Sequence, residues 1–257
     1  MTFNLRFEND RDGENAWCHR RDMVAELIIR YAPSIVGTQE GKWSQLEFLK
    51  DRLPDYTSIT SNRVQDATCQ YPTLFVRQEE FEVHDGKDHW LSKTPARHRS
   101  KNWDSAFPRM LNCARLRMIQ GGDTIWAAVT HLDHIGGEAR YEQAKLVAEW
   151  VKGRTGPVIV MGDFNDHPES LVHATLIDPG VGLKDTWQVL GLDEDAGSYT
   201  HHGFDGEPQM TRMDWILVSP HFRVQDASVI RGHVEGRYPS DHFPYMTMVN
   251  LEQPEES

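Results

Sequence analysis

Only three cysteines, Cys18, Cys69 and Cys113, occur in 257 residues. They are too few and too scattered for a disulfide framework or a thiolate zinc site, and a reducing, cytoplasmic setting is the expectation. No apolar run approaches the ~18 residues of a membrane span. No basic segment followed by an apolar one opens the chain, as a secretory signal would. Positive charge is short as well: 27 Lys and Arg stand against 39 Asp and Glu, a formal net charge of −12. A groove that tracks many phosphates needs the opposite balance, so a long polyanion is disfavoured as a routine partner, while a local basic pocket stays compatible with the total. Familiar catalytic signatures are missing too: there is no Gly-x-Gly-x-x-Gly, Walker loop, Gly-x-Ser-x-Gly elbow or His-Glu-x-x-His.

What is present is an ordinary globular composition, 39% apolar and 26% charged, at a length that suits one domain over residues 1–257. Thr2-Phe3-Asn4-Leu5-Arg6-Phe7 alternates as a strand from the first residues, so a start further upstream, with a leader, is an open expectation that would change the location. A polar loop is expected over 8–15. Val24, Leu27, Ile28 and Tyr31 then form one apolar stripe, predicting a helix over Arg21–Ala32 that Pro33 closes. Residues 34–40 read as a short strand ending in Glu40. Trp43, Leu46, Leu49 and Leu53 predict a second helix that stops before Pro54.

Further on, Thr73–Val76 and Phe81–Val83 bracket a turn and predict a strand pair. The proline-bearing segment 90–108 reads as a long ordered loop. Strands at 114–118 and 124–130 flank the Gly121-Gly122 turn, and 138–152 carries a helical stripe of Ala144, Val147, Ala148 and Val151. Val158–Met161 reads as a buried strand, 171–176 as a short helix, 197–211 as a polar loop, and 213–218 and 245–251 as strands. Residues 253–257 should be a loose tail. Strands alternate with helices, yet hairpins intrude, which favours a layered α/β (α+β) domain with mixed sheets.

Several of these strands begin or end on a polar residue of catalytic type: Asn4, Glu40, His131, Asp163 with Asn165, Asp214, and Asp241 with His242. The segment Gly162-Asp163-Phe164-Asn165-Asp166 is the sharpest case. In extended chain Asp163 and Asn165 would share one face and converge on a water, a metal ion or a phosphate oxygen; the competing reading is an Asx turn. The residue types fit metal-assisted hydrolysis of a phosphate ester. Glu40 offers a hard carboxylate to Mg²⁺ or Mn²⁺. Asp163 could orient and deprotonate a water, with Asn165 fixing the water or the phosphate, while His131 and His242 donate to a phosphoryl group. Asp214 would set the tautomer of His242 and raise its pKa. A zinc reading of His131-Leu132-Asp133-His134 with His201-His202 lacks regular ligand spacing.

Taken in order, Thr2-Phe3-Asn4, Thr38-Gln39-Glu40, Thr130-His131-Leu132, Gly162-Asp163-Phe164-Asn165, Met213-Asp214-Trp215-Ile216 and Ser240-Asp241-His242 resemble the motif series of the endonuclease/exonuclease/phosphatase superfamily, the DNase I-like group. Trp90-Leu91-Ser92, Trp103-Asp104, Pro108-Arg109 and Tyr238-Pro239-Ser240-Asp241-His242 resemble its bacterial metal-dependent hydrolase branch. The resemblance implies a four-layered αββα sandwich of two mixed β-sheets with the site at one edge. It implies that Glu40 holds Mg²⁺ (or Mn²⁺) with Asn4 and Asp241 close by, and that Asp163 and Asn165 handle nucleophile and phosphate. It further implies that Asp214 pairs His242, that His131 is the second histidine and that Arg109 lies near the phosphate. Trp103 joins Trp90, Phe107 and Phe204 as aromatics that would shape a substrate pocket, although each such ring is more often core. One departure stands out: relatives often carry a Glu where this chain has Cys69-Gln70-Tyr71, and a neutral Gln cannot support an imidazolium at His131 through charge.

The expected activity is therefore that of a metal-dependent phosphoric ester hydrolase acting on a small phosphate-ester substrate. A nuclease of the same chemistry would need a basic groove, and Arg97, His98, Arg99 and Lys101, the compact basic run, read as a solvated loop. A catalytically silent binding module would not need the full set of site residues.

Overall fold

The computed structural model describes residues 1–60 and 63–252, so the expected tail at 253–257 lies outside the described residues. In chain order the elements are β1 (Thr2–Asn4), a 3₁₀ turn (Asp10–Asn15), α1 (Trp17–Tyr31), β2 (Ile35–Gly41), α2 (Trp43–Arg52), β3 (Tyr56–Ser58), β4 (Tyr71–Arg77), β5 (Phe81–Trp90) and β6 (Met110–Met118). They continue with β7 (Thr124–His131), α3 (Gly137–Lys152), β8 (Val158–Asp163), α4 (Leu171–Leu176), β9 (Lys184–Asp185), α5 (Thr186–Val189), β10 (Asp214–Val218), β11 (Phe222–Val229) and β12 (Tyr245–Leu251). Among the described residues they form two six-stranded sheets, ordered β11-β12-β1-β2-β4-β3 and β5-β6-β7-β8-β10-β9. Both sheets are mixed. Their parallel pairs, β1–β2 and β7–β8, are each joined through a helix, and the remaining pairs run antiparallel.

Apolar burial divides into three bodies that define four layers. Ile35, Leu74, Val76, Ala114, Val129, Met161 and Ile216 pack between the sheets. Phe3, Val24, Ile28, Leu49 and Phe75 join the first sheet to α1 and α2, and Ala128, Val147, Val160, Trp215 and Leu217 join the second to α3 and α4. Each of the larger side chains (Val, Leu, Ile, Phe, Met) contributes about 1.5–3 kcal/mol of burial. The result is the expected αββα sandwich. Gly37 sits where the sheets come closest: a Cβ there would meet Met161 Sδ at 2.7 Å and Val129 Cγ2 at 2.8 Å.

Two expectations need correction. The strand after Gln78–Glu80 does not pair back on the one before it: β4 pairs with β2 and β3, while β5 pairs with β6 in the other sheet. Three residues suffice to step the ~10 Å between stacked sheets, and β4, buried along almost its whole length, cannot share the solvent-exposed edge that β5 occupies. Helix α1 starts at Trp17 rather than at Arg21. The missed turn carries Arg20 on the buried stripe, where its guanidinium donates to the carbonyls of Asn15, Leu5, Pro239 and Arg6. The basic run is the exposed loop expected, with Arg97, Arg99 and Lys101 all exposed, and two of its cations are engaged locally. Arg99 Nη1 donates to Asp66 Oδ2 at 2.9 Å, and Lys101 Nζ donates to the carbonyls of Ser105 and Ala106, both at 3.1 Å.

Candidate active site

Strand register assembles the centre. On the parallel side of β8, His131 lies opposite Asp163, and on the antiparallel side Asp214 lies opposite the same residue. Directly opposed residues share a face of the sheet, so an imidazole and two carboxylates stand in a row at the end of three neighbouring strands. All three are buried. Asn4, the last residue of β1 in the facing sheet, closes the gap by donating from Nδ2 to Asp163 Oδ2 at 2.9 Å. Its Oδ1 accepts from the Arg6 N–H at 2.9 Å, which fixes the orientation of the amide.

His242 arrives from the turn before β12. Ser240 Oγ donates to the Asn4 carbonyl at 2.6 Å and ties that turn to the end of β1. His242 Nδ1 is 2.8 Å from Asp214 Oδ2, and Nε2 is 3.9 Å from Asp163 Oδ2. Burial disfavours a charged imidazole here, but the Asp214 carboxylate outweighs it, helped by Asp163 and Asp241, and the His242 pKa rises to about 10. Asp163 is pushed up, by burial first and by Asp214 next. His131 Nε2 lies 3.4 Å from Asp163 Oδ2. Burial, then the charges of Arg109 and His242, hold His131 well below the ordinary imidazole range, so it is neutral near pH 7.

The two acids expected on the metal side, Glu40 and Asp241, come from the first sheet and the turn entering it. A bulge between Thr38 and Gly41 interrupts β2, and Glu40 takes a left-handed φ of 63° there, which re-aims its side chain. Glu40 Oε2 accepts the Phe7 N–H at 2.9 Å. Burial, then the neighbouring Asp241 charge, raise its pKa. Arg6 answers part of that charge: Nη1 lies 3.8 Å from Asp241 Oδ2, and the guanidinium is held by Asp12 at 2.9 Å. Glu40 and Asp241 are hard oxygen donors whose mutual repulsion a divalent cation would relieve, so the residues present fit Mg²⁺ or Mn²⁺. Ligand atoms of Asp163, Asp214 and His242 also lie within 4.8 Å of one another. In that group His242 Nδ1 is already committed to Asp214, while its Nε2 stands 3.9 Å from Asp163 Oδ2, beyond hydrogen-bond reach.

Asn165 departs from the alternation expected of it. Strand β8 stops at Asp163, and Asn165 turns away with φ 51°. Asp163 Oδ1 accepts the Asn165 N–H at 2.9 Å, an Asx turn, while Asn165 Nδ2 donates to the Leu132 carbonyl at 3.0 Å. The Asx turn is the reading realised, while Asp163 Oδ2 stays with the cluster, 2.9 Å from Asn4 Nδ2. Arg109, 6% exposed, projects beside His131. Its Nη2 is 3.0 Å from His134 Nδ1, its Nε is 3.6 Å from Asp133 Oδ2, and that Nε is a buried donor without a partner.

Trp103 is not brought into the cluster; Lys93 Nζ sits 5.7 Å from its ring centroid, away from the cleft beside His131. Trp90 is core, and the Phe204 ring lies under the Arg20 guanidinium. Two residues were missed by sequence reasoning. Arg6 gives no local signal beyond its place two residues after Asn4. Asp133, considered only for zinc, binds five groups of the surrounding loops: Ser105 Oγ and the N–H groups of Ala106, Phe107, Ile135 and Gly136.

Comparison with known proteins agrees with this architecture. The family described as Endonuclease/Exonuclease/phosphatase family matches over residues 1–242. Among solved structures, an endonuclease/exonuclease/phosphatase from Bacteroides vulgatus is 30% identical, with 98% of this chain and 97% of that chain covered and a TM-score of 0.88. A mannosyl-6-phosphatase of Bacteroides thetaiotaomicron is 29% identical, with coverage of 97% and 98% and a TM-score of 0.86. D. rerio TDP2 complexed with a single-strand DNA product shares the fold at 19% identity, with 97% of each chain covered and a TM-score of 0.76. No curated protein sequence matches the chain.

Proposed function

The chain belongs to the endonuclease/exonuclease/phosphatase family, and on that premise we propose that it is a Mg²⁺- or Mn²⁺-dependent phosphoesterase cleaving a small phosphate ester by in-line attack of water. The observation that carries the reading is the flanking of Asp163 by His131 and Asp214 on paired strands, with Asn4 and His242 closing on it from the facing sheet. Asp163, its proton affinity raised by burial, takes the proton of the attacking water through Oδ2 while Asn4 holds that carboxylate in place. Protonated His242, kept charged by Asp214, donates to the phosphoryl oxygens as negative charge builds on them. Neutral His131 adds a second donor, and Arg109 supplies fixed positive charge beside it. Asn165, its N–H on Asp163 Oδ1, helps to hold the carboxylate that receives the proton. Glu40 and Asp241, with Asn4 beside them, would hold the metal, whose bound charge polarises the phosphoryl group.

A sugar phosphate monoester is the favoured substrate, from the likeness to the Bacteroides mannosyl-6-phosphatase. The nuclease alternative loses ground because Arg99 and Lys101 of the basic run are engaged in loop contacts and the net charge is −12. No described helix is long and apolar enough to cross a membrane. The test is hydrolysis of p-nitrophenyl phosphate and bis-p-nitrophenyl phosphate with Mg²⁺ or Mn²⁺. Activity should vanish in Asp163→Ala and Glu40→Ala, and inactivity of the parent on both esters with both metals would sink the proposal. Nucleic-acid binding that falls steeply between low and moderate salt would instead favour the nuclease.

A further inference from the structure

The segment ahead of β10 makes a short antiparallel pairing with the turn that carries Asp241 and His242. His202 and Gly203 donate their N–H groups to the Asp241 carbonyl at 2.8 and 3.1 Å, and Phe243 donates to the Thr200 carbonyl at 2.7 Å. Those bonds flank His201 and His242, which are paired without a backbone bond between them, the kind of pair in which opposed side chains come closest and share a face. Thr200 Oγ1 also accepts the N–H groups of Met213 and Asp214, both at 3.3 Å, so the segment is tied to the head of β10 as well. Adjacent residues of extended chain point opposite ways, and the two histidines part accordingly. His202 is fully buried, stacked on Phe243 at 3.9 Å between centroids, and its Nδ1 accepts the Gly206 N–H. His201 goes to the other face, its ring set edge to face with His242 at 5.0 Å between centroids and 79° between planes.

Each of the two rings keeps an enclosed nitrogen without a partner, Nε2 in His202 and Nδ1 in His201, but only the His201 ring shares the face of His242. Resting on the phosphoesterase reading, we infer that His201 is a catalytic residue, a third imidazole that donates a hydrogen bond from Nδ1 to the phosphoryl oxygens alongside His242. An enclosed N–H left unanswered costs about what a lost hydrogen bond does, and phosphoryl oxygens are acceptors that would answer it. The charge that builds in phosphoryl transfer spreads over three oxygens. His131 approaches Asp163 from the β7 side, while His242 and His201 arrive on the turn and segment that pair ahead of β10 and β12, so His201 meets charge that His131 does not. Burial, then the charge of His242, lower the His201 pKa, and the ring joins as a neutral donor that adds no second cation beside His242.

The experiment measures kcat and KM for p-nitrophenyl phosphate and ethyl phosphate, with Mg²⁺ or Mn²⁺, in the parent, His201→Phe and His201→Gln. The first variant keeps a flat ring against His242 and loses both nitrogens; the second keeps a neutral donor and loses the ring. His201→Phe should keep the parent's Tm and KM and lose about ten- to hundredfold in kcat on both esters, as removal of a hydrogen bond to a charged group in the transition state predicts. His201→Gln should stay within about fivefold of the parent, since one neutral N–H donor replaces another. A parent-like kcat in His201→Phe, equal losses in the two variants, a loss confined to KM, or a loss much larger on ethyl phosphate than on the better leaving group would each overturn the assignment and leave the phosphoesterase reading standing. Should His201→Phe not fold, His201→Ala takes its place: kcat restored by added imidazole supports the assignment, and no restoration overturns it. A parent that cleaves neither ester overturns both readings.

Discussion

Replacing Asp133 by Asn should loosen the loop that delivers Arg109 and Phe107 to the cleft. The Asp133 carboxylate is fully buried. Oδ2 accepts from Ser105 Oγ at 3.1 Å and from the N–H groups of Ala106 and Phe107 at 2.9 and 3.2 Å; Oδ1 accepts from Ile135 and Gly136 at 3.0 and 2.7 Å. An amide has one oxygen, so whichever way it is turned its NH₂ faces at least two backbone donors. Each buried donor left unmet costs about 1–3 kcal/mol, or about 2–6 kcal/mol for the pair. In a chain of this size 1 kcal/mol moves Tm by about 2–4 °C, so the fall should be at least about 4 °C. Arg109, 3.6 Å from Oδ2, also loses its counter-charge. Thermal scans followed by circular dichroism give the first number, and kcat/KM on a sugar phosphate at 25 °C, where the variant is folded, gives the second. A Tm within about 1 °C of the parent with unchanged kcat/KM would refute the assignment of Asp133 as the anchor of this loop.

Other substitutions and conditions probe the remaining supports. Gly162 has φ 157°, and a Cβ there would collide with the Thr130 backbone of β7, so Gly162→Ala should force β7 and β8 apart beside Asp163; a parent-like Tm and activity would argue against that packing. Asp214→Asn should lower kcat by about 10²–10⁴ because His242 Nδ1 loses its charged acceptor at 2.8 Å, and an unchanged kcat would remove His242 from the proposed chemistry. Acid should unfold the protein through buried carboxylates. Asp133 is held below the usual carboxylate range against the opposition of burial by backbone N–H donors, and Asp185 by the His173 hydrogen bond and the Arg212 charge. Groups lowered in this way contribute stability that is complete above the unfolded pKa of about 4 and lost as pH falls through the folded values. Tm should therefore drop below about pH 4, and Asp185→Asn should flatten that limb while lowering Tm at neutral pH.

Much of the centre could be read from the chain because its members end apolar runs. His131, Asp163 and Asp214 each close or open a buried strand, and a polar side chain at such a place is visible without knowing which strand lies beside it. What sequence could not supply was the pairing. That β4 and β5 part company between the sheets, and that the edge strand β11 closes one of them, are decided by contacts across long stretches of chain. Arg20 shows the difficulty in one residue: its charge breaks the apolar stripe of α1, and only the four carbonyls brought to it by folding make its burial tolerable. Asn165 failed for a local reason, because Asp163 uses one oxygen to turn the chain and so ends the alternation on which the expectation rested.

The acids of this site divide by sheet: Glu40 lies in the first and Asp241 on the turn entering it, while Asp163 and Asp214 lie in the second. Within each pair burial and the neighbouring acid still raise the proton affinity of Asp163 and of Glu40, and each pair has its own answering group, Arg6 on one side and His242 on the other. The Asn4 amide, bonded to Arg6 through its oxygen and to Asp163 through its nitrogen, spans the two halves. Its reach is fixed by how closely the sheets pack, which the absence of a side chain at Gly37 permits against Met161 and Val129. The spacing of Glu40 and Asp241 from Asp163 and Asp214 is therefore a property of the sandwich core, so a change of one methyl group at the sheet interface would be felt in this cluster.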